Sequence, residues 1–130
     1  MTNEHKVLKR KLQKFAKLLG VSDYLFEIAI AKDRKSRDKY DLYGSVLIDE
    51  ETRKAIISLN EYYLKKEPEE IDNTLVHELL HVRFSELLSL VTLIIAGHVK
   101  DKKAQKTYID QIERLEHKII VTLTNAIRKK

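Results

Sequence analysis

One apolar segment in the middle of the chain constrains the fold most. It begins at Pro68, a residue suited to the first turn of a helix, and the acidic residues that follow favour a helix N-terminus. We therefore predict a helix from about residue 68 to about residue 87. The run Leu87–Ala96 is strongly apolar and is shorter than the roughly 20 residues that a membrane span needs. We expect this run to continue the helix inside the core, with Gly97 near its end.

The predicted helix contains the pattern His77-Glu78-Leu79-Leu80-His81. Residues four apart lie on one face of a helix, so the two imidazoles can bind one zinc ion. Glu78, next to the first histidine, can polarise the water that the metal activates and accept its proton. The buried side of the same helix is expected to hold Leu75, Val76, Leu79 and Leu80. The pattern therefore predicts two zinc ligands, His77 and His81, and a general base.

A third zinc ligand is needed, because a catalytic site usually has three protein ligands and one open position. The later candidates are His98, Asp101, Asp110, Glu113, Glu116 and His117. In the last helix, predicted over about 104–128, the apolar residues form a stripe roughly 140° wide, and Glu116 falls inside it. A carboxylate that faces the core needs a strong partner, and zinc would be one. We expect Glu116 as the ligand; the alternatives are Glu113, His98, or a Glu116 side chain that reaches solvent.

The remaining segments complete an α+β pattern. An amphipathic helix over 3–19 ends at Gly20, and Lys32–Asp41 is a highly charged loop. Strands are predicted at 24–31, 44–49 and 54–60, and the turn at 49–53 joins the last two as an antiparallel hairpin. Leu64–Glu67 is expected to be a short connector. We predict a single domain over 1–130, with an N-terminal helix, a small, mainly antiparallel three-stranded sheet, the motif-bearing helix and a C-terminal helix.

Composition restricts the chemistry further. The chain has no cysteine, so any metal must be held by histidine and carboxylate. The N-terminus has no apolar stretch typical of a secretory signal, which makes the cytoplasm the default location, with no membrane contact expected. The formal net charge of +5 could attract nucleic acid or an acidic partner. Much of the excess lies in Lys6, Lys9, Arg10, Lys11, Lys14, Lys17 and the C-terminal Arg128, Lys129 and Lys130. The competing interpretation is a solvated helix face, and the oligomeric state is left open.

These patterns together resemble the gluzincins, in which a helix with His-Glu-x-x-His is followed by a glutamate ligand on a later helix. The small size is similar to the minigluzincins and related metallopeptidases of bacteriophage and prokaryotic genomes. The resemblance covers roughly residues 44–128. It rests on the segments at 56–60, 74–81 and 115–120, of which the middle one is specific.

The resemblance implies a zincin-like endopeptidase acting on peptide or protein substrates. His77, His81 and Glu116 would bind zinc, and Glu78 would be the general base. The strand at 54–60 would be the sheet edge beside the cleft, to which an extended peptide could add. Tyr108 is one candidate electrophile, although we expect it to pack in the core. The alternative function is a catalytically silent zinc-binding module that regulates or associates with nucleic acid.

Overall fold

A computed structural model describes residues 3–31 and 43–128, so the predicted charged loop at 32–41 lies outside the described residues. The elements are α1 (Asn3–Leu18), β1 (Leu25–Ala31), β2 (Gly44–Asp49), β3 (Lys54–Asn60), α2 (Glu61–Lys66), a 3-10 turn (Pro68–Glu70), α3 (Ile71–His98) and α4 (Lys102–Arg128). The predicted α+β class and order of elements are confirmed. The chain divides into two compact units, Met1–Arg83 and Phe84–Lys130. The single domain over 1–130 stays a prediction.

The sheet has the strand order β1-β3-β2. The predicted hairpin is confirmed, because β2 and β3 pair antiparallel with Asp49 opposite Lys54. The sequence predicts a mainly antiparallel sheet, whereas the sheet is mixed, because β1 pairs with β3 in parallel. The resemblance placed β3 at the sheet edge, and this is wrong. Both sides of β3 are occupied by neighbouring backbone, and the outer edges belong to β1 and β2.

A short helix, α2, stands where a connector was predicted at Leu64–Glu67. Asn60, the last residue of β3, starts this helix because its side-chain oxygen accepts a hydrogen bond from the backbone N–H of Tyr62 at 3.1 Å. Residues 64–66 are therefore helical, and Glu67 ends the helix by donating its N–H to the carbonyl of Tyr63. The sequence pattern does not indicate this cap, because Asn60 also fits the end of strand β3.

The core of the first unit lies between one face of the sheet and two helices. Each element contributes residues at its own period, every second residue in β3 and every third or fourth in the helices. The members are Leu8, Leu12 and Ala16 of α1, Ala55, Ile57 and Leu59 of β3, and Leu75, Leu79 and Val82 of α3. The opposite face of the sheet leaves Leu47 71% exposed. The predicted burial of all four apolar residues beside the histidine motif is confirmed.

The second unit is a hairpin of two helices, residues 84–98 of α3 and α4. Asp101 caps α4, because its Oδ1 accepts the backbone N–H of Lys103 at 3.1 Å. The side-chain amide of Gln105 donates to the carbonyl oxygen of Val99 and, at 3.5 Å, to that of Ala96. These bonds satisfy backbone groups at both helix ends and fix the turn between them.

Two predictions about burial in the second unit are wrong. The run Leu87–Ala96 is helical but does not lie in a core: Leu93 is 69% exposed and Ile94 50% exposed. Tyr108, expected to pack inside, is 49% exposed. These residues are exposed because the unit has too few secondary-structure elements within residues 84–128 to cover them. In the described part of this unit there are two helices, and each can cover only one side of the other.

The helical stretch Pro68–His98 is also long and apolar enough to cross a membrane by length and composition alone. Its most apolar 18-residue window has a mean hydropathy of 1.7, and 17% of that window is buried. A core helix can pass the same test, so the expectation of no membrane contact stays a prediction.

Gly44 is the tightest packing point among the glycines. A Cβ atom there would lie 2.7 Å from the carbonyl oxygen of Ser58 and 3.0 Å from Cγ2 of Thr74. We expect Gly44→Ala to lower the free energy of unfolding by about 1–3 kcal/mol, because β2 must shift away from β3 and α3. Urea unfolding measures this change. Gly97→Ala is the matched control, since its Cβ would meet no atom within 4 Å; equal effects of the two substitutions would contradict the packing described.

Candidate metal centre

The first turns of α3 are fixed to the rest of the first unit by polar contacts as well as by the core. The Oγ1 of Thr74 donates to the carbonyl of Glu70 at 2.8 Å, and Nδ2 of Asn73 donates to the Glu70 carboxylate at 3.1 Å. Lys11 of α1 forms an exposed ion pair with Asp72 at 3.0 Å. With the apolar side of α3 buried, these contacts determine which side chains the helix directs away from the core.

His77 and His81 lie on the same face of α3, as predicted from their spacing. Both side chains are half-buried, and their ring centroids are 5.0 Å apart with an angle of 71° between the ring planes. Two imidazoles bound to one tetrahedral zinc, with zinc–nitrogen distances of roughly 2.0–2.1 Å, have centroids about 5 Å apart. The separation of the rings is therefore compatible with a shared zinc ion.

Glu78 follows His77 in the chain and is only 5% exposed. A carboxylate with so little contact with water requires polar partners. Glu78 does take part in a polar interaction, and every buried side-chain nitrogen or oxygen in the described residues has a hydrogen-bond partner. The burial of its helical neighbour Leu79, which is fully inside the core, holds this turn of the helix in place. Glu78 is thus a buried acid on the same stretch of α3 as the two imidazoles.

The third donor is the incomplete part of the site. Within residues 3–31 and 43–128, no three His, Asp or Glu side chains come together as a metal-binding group. Glu116 belongs to the second unit, where it is half-buried, while Glu113 and His98 are exposed. Burial raises the pKa of the Glu116 carboxyl, the nearby Glu113 raises it further, and His117 opposes both. The ligand role of Glu116, and those of its two alternatives, stay predictions.

A cluster of tyrosines and acids near the start of α3 was not found from the sequence. The rings of Tyr43 and Tyr63 meet edge to face at 5.2 Å. A hydrogen bond with Glu67 raises the pKa of the Tyr43 hydroxyl, and partial burial and the charge of Glu70 raise it further. The cluster surrounds a small cavity of about 10 Å³ that also touches Thr74. Tyr43 precedes Tyr63 by 20 residues in the chain, so no local spacing indicated that it belongs to the cluster.

No protein-family model, curated protein or solved structure matches this chain. The resemblance to the minigluzincins rests on the sequence patterns and stays a prediction.

Metal analysis of purified variants tests the ligand set. We expect the unaltered chain to bind one zinc ion and His77→Ala or His81→Ala to lose it, because two remaining donors hold zinc weakly. Glu116→Ala is expected to lose zinc and Glu113→Ala to retain it. Zinc loss in the Glu113 variant alone would assign the third ligand to Glu113 instead.

The raised pKa of Glu116 predicts a pH effect on the zinc-free protein. The folded state favours the protonated Glu116 carboxyl. The free energy of unfolding is therefore highest, as far as this group is concerned, at pH values below the ordinary pKa of about 4.5, and it falls as the pH rises through the folded-state pKa. We expect Glu116→Gln to remove this fall and to raise the melting temperature at pH 7 in the presence of a chelator. Asp110→Asn, on an exposed part of the same helix, controls for the loss of a carboxylate. A lower melting temperature at pH 7 for the Glu116 variant would contradict the upward direction of the pKa shift.

Proposed function

We propose that this chain is a zinc-dependent metallopeptidase of the gluzincin type that hydrolyses peptide bonds in peptides or proteins. The observation that supports it most is the arrangement of residues 77–81, a little over one turn of α3. His77 and His81 form a half-buried imidazole pair, and the buried Glu78 directly follows His77 in the helix. This combination of two nitrogen ligands and one positioned acid is what zinc-assisted hydrolysis requires.

The donors in this chain suit zinc. His77, His81 and Glu116 would hold the ion, giving two nitrogens and one carboxylate, a ligand set that catalytic zinc sites use. When bound, the ion lowers the pKa of a coordinated water and polarises the substrate carbonyl. Half-burial of the two histidines leaves them accessible from solvent, which both the ion and a substrate need.

Glu78 would act as general base and then as general acid. Its carboxylate accepts a proton from the attacking water and passes it to the amine that leaves when the peptide bond breaks. Proton transfer by a positioned group typically accelerates a reaction about 10²–10⁴-fold. The buried turn around Leu79 supports this role because it restricts the orientation of the adjacent carboxylate.

Strand β2 replaces β3 as the proposed docking edge for the substrate. It is an outer strand of the sheet, and its first residue, Gly44, packs against Thr74, one helical turn before His77. An extended peptide added to β2 by backbone hydrogen bonds would bind with little dependence on its sequence. The short contact at Gly44 supports this choice, because it brings the edge strand close to the motif-bearing helix.

Glu78→Gln tests the proposed mechanism. The amide has nearly the shape of the carboxylate but cannot accept the proton, so we expect kcat/KM on an unfolded protein substrate to fall at least about 100-fold. Zinc content should be unchanged. Glu86→Gln, an exposed position on the same helix, is the matched control and should retain activity. Persistent cleavage by the Glu78 variant would rule out this base.

A second candidate function is a zinc-binding module that associates with nucleic acid. It is favoured by the outer face of α1, where Lys6, Lys9, Arg10, Lys14 and Lys17 are all exposed. Such a face could contact phosphates, and its binding would weaken steeply as salt increases. Zinc content without turnover on any unfolded protein, together with salt-dependent binding of duplex DNA, would favour this function. Absence of DNA binding at low salt would exclude it.

A further inference from the structure

The helical hairpin of the second unit exposes a surface of aliphatic residues that have no role in the proposed peptidase mechanism. The surface, here called the hairpin patch, consists of Leu87, Leu90, Leu93, Ile94, Leu115 and Ile119, each between 47% and 69% exposed. Leu87, Leu90 and Ile94 recur at spacings of three and four along α3 and therefore form one stripe. Monomeric soluble proteins rarely expose contiguous apolar patches larger than a few hundred Å².

The stripe on α3 and the exposed residues of α4 form one surface. Leu87 lies at the junction, because it lines a cleft of about 210 Å³ between the two helices together with Leu115 and Ile119. The cleft is also lined by Phe84, Leu88, Val91 and Ile112, and Glu116 is its charged lining residue. An open apolar cleft between two helices is the kind of groove into which side chains of another helix pack.

We propose that the hairpin patch is the interface of a homodimer, in which the hairpins of two copies pack into a four-helix bundle. The exposed area of its six aliphatic residues is on the order of 650 Å², close to the roughly 800 Å² per partner that a stable interface buries. In a two-fold dimer the same patch pairs with itself, so Leu90 at the middle of the stripe would approach Leu90 of the second copy.

The charges of the hairpin favour a second copy over a lipid bilayer as the occupant. α4 exposes Lys102, Lys103, Lys106, Asp110, Arg114 and Lys118. A hairpin inserted into lipid would have to remove many of these groups from water, which is costly. In a bundle of two hairpins they can remain at the solvated rim. The six residues of the patch are aliphatic, so pairing two patches brings no like charges together among them; Glu116 lines the adjoining cleft.

Sedimentation velocity from about 1 to 200 µM tests this dimer. The chain mass is 15.3 kDa, and we expect the unaltered protein to shift to twice that mass as concentration rises. Leu90→Glu combined with Ile94→Glu should weaken dimerisation at least 100-fold, because two carboxylates per copy would be buried. Leu47→Glu is the matched control. Leu47 is 71% exposed on the sheet, and its substitution should leave the dimer intact.

Disulfide crosslinking gives a second readout that does not depend on the charged variant folding. The chain has no cysteine, so Leu90→Cys should form a disulfide-linked dimer on mild oxidation, whereas Leu47→Cys should remain mostly without a crosslink. A monomer at every concentration would overturn the proposal, as would equal crosslinking at the two positions. Co-sedimentation of a monomeric protein with phosphatidylcholine vesicles would also overturn it and assign the patch to lipid.

Discussion

The burial of one side of α3 against β3 is the constraint on which the account of this protein depends. Leu75 and Leu79 are fully buried with Ile57 and Leu59 in the core of the first unit. A helix held in this way has no freedom to rotate about its axis without exposing leucines or burying charges. The position of the two histidines and of Glu78 is thus a consequence of packing. The core provides the preorganisation that a hydrolytic site needs, and the polar contacts of Asp72 and Thr74 reinforce it.

The second unit, unlike the first, does not enclose its apolar residues in a core. Its two helices are joined by a well-capped turn, but two helices alone cannot enclose the apolar residues that they contain. The outcome is an exposed apolar surface on α3 and a half-buried Glu116 on α4. Exposed aliphatic surface favours a partner, and a partly desolvated carboxylate favours a cation. Zinc and a second copy are the partners that we propose for them.

Local patterns in the sequence predicted most of the fold. The sequence correctly predicted the bounds of β2 and β3, the antiparallel hairpin and the buried leucines beside the histidine motif. Each of these features depends on neighbouring residues and on one hydrophobic periodicity. The parallel pairing of β1 with β3 could not be predicted from local patterns, since it joins segments about 30 residues apart. The same limit explains the incorrect edge position of β3 and the missed contact of Tyr43 with Glu67. Burial of Leu87–Ala96 was predicted from hydrophobicity alone, which does not reveal whether a covering element exists.

Zinc K-edge X-ray absorption of the purified, zinc-loaded protein tests the central claim most directly, because it reports the ligands of the metal themselves. We expect a first coordination shell of nitrogen and oxygen atoms at about 2.0–2.1 Å from the zinc ion, including two imidazoles. An all-oxygen shell, or a zinc ion with only one imidazole, would contradict the assignment of His77 and His81 as a shared pair of ligands.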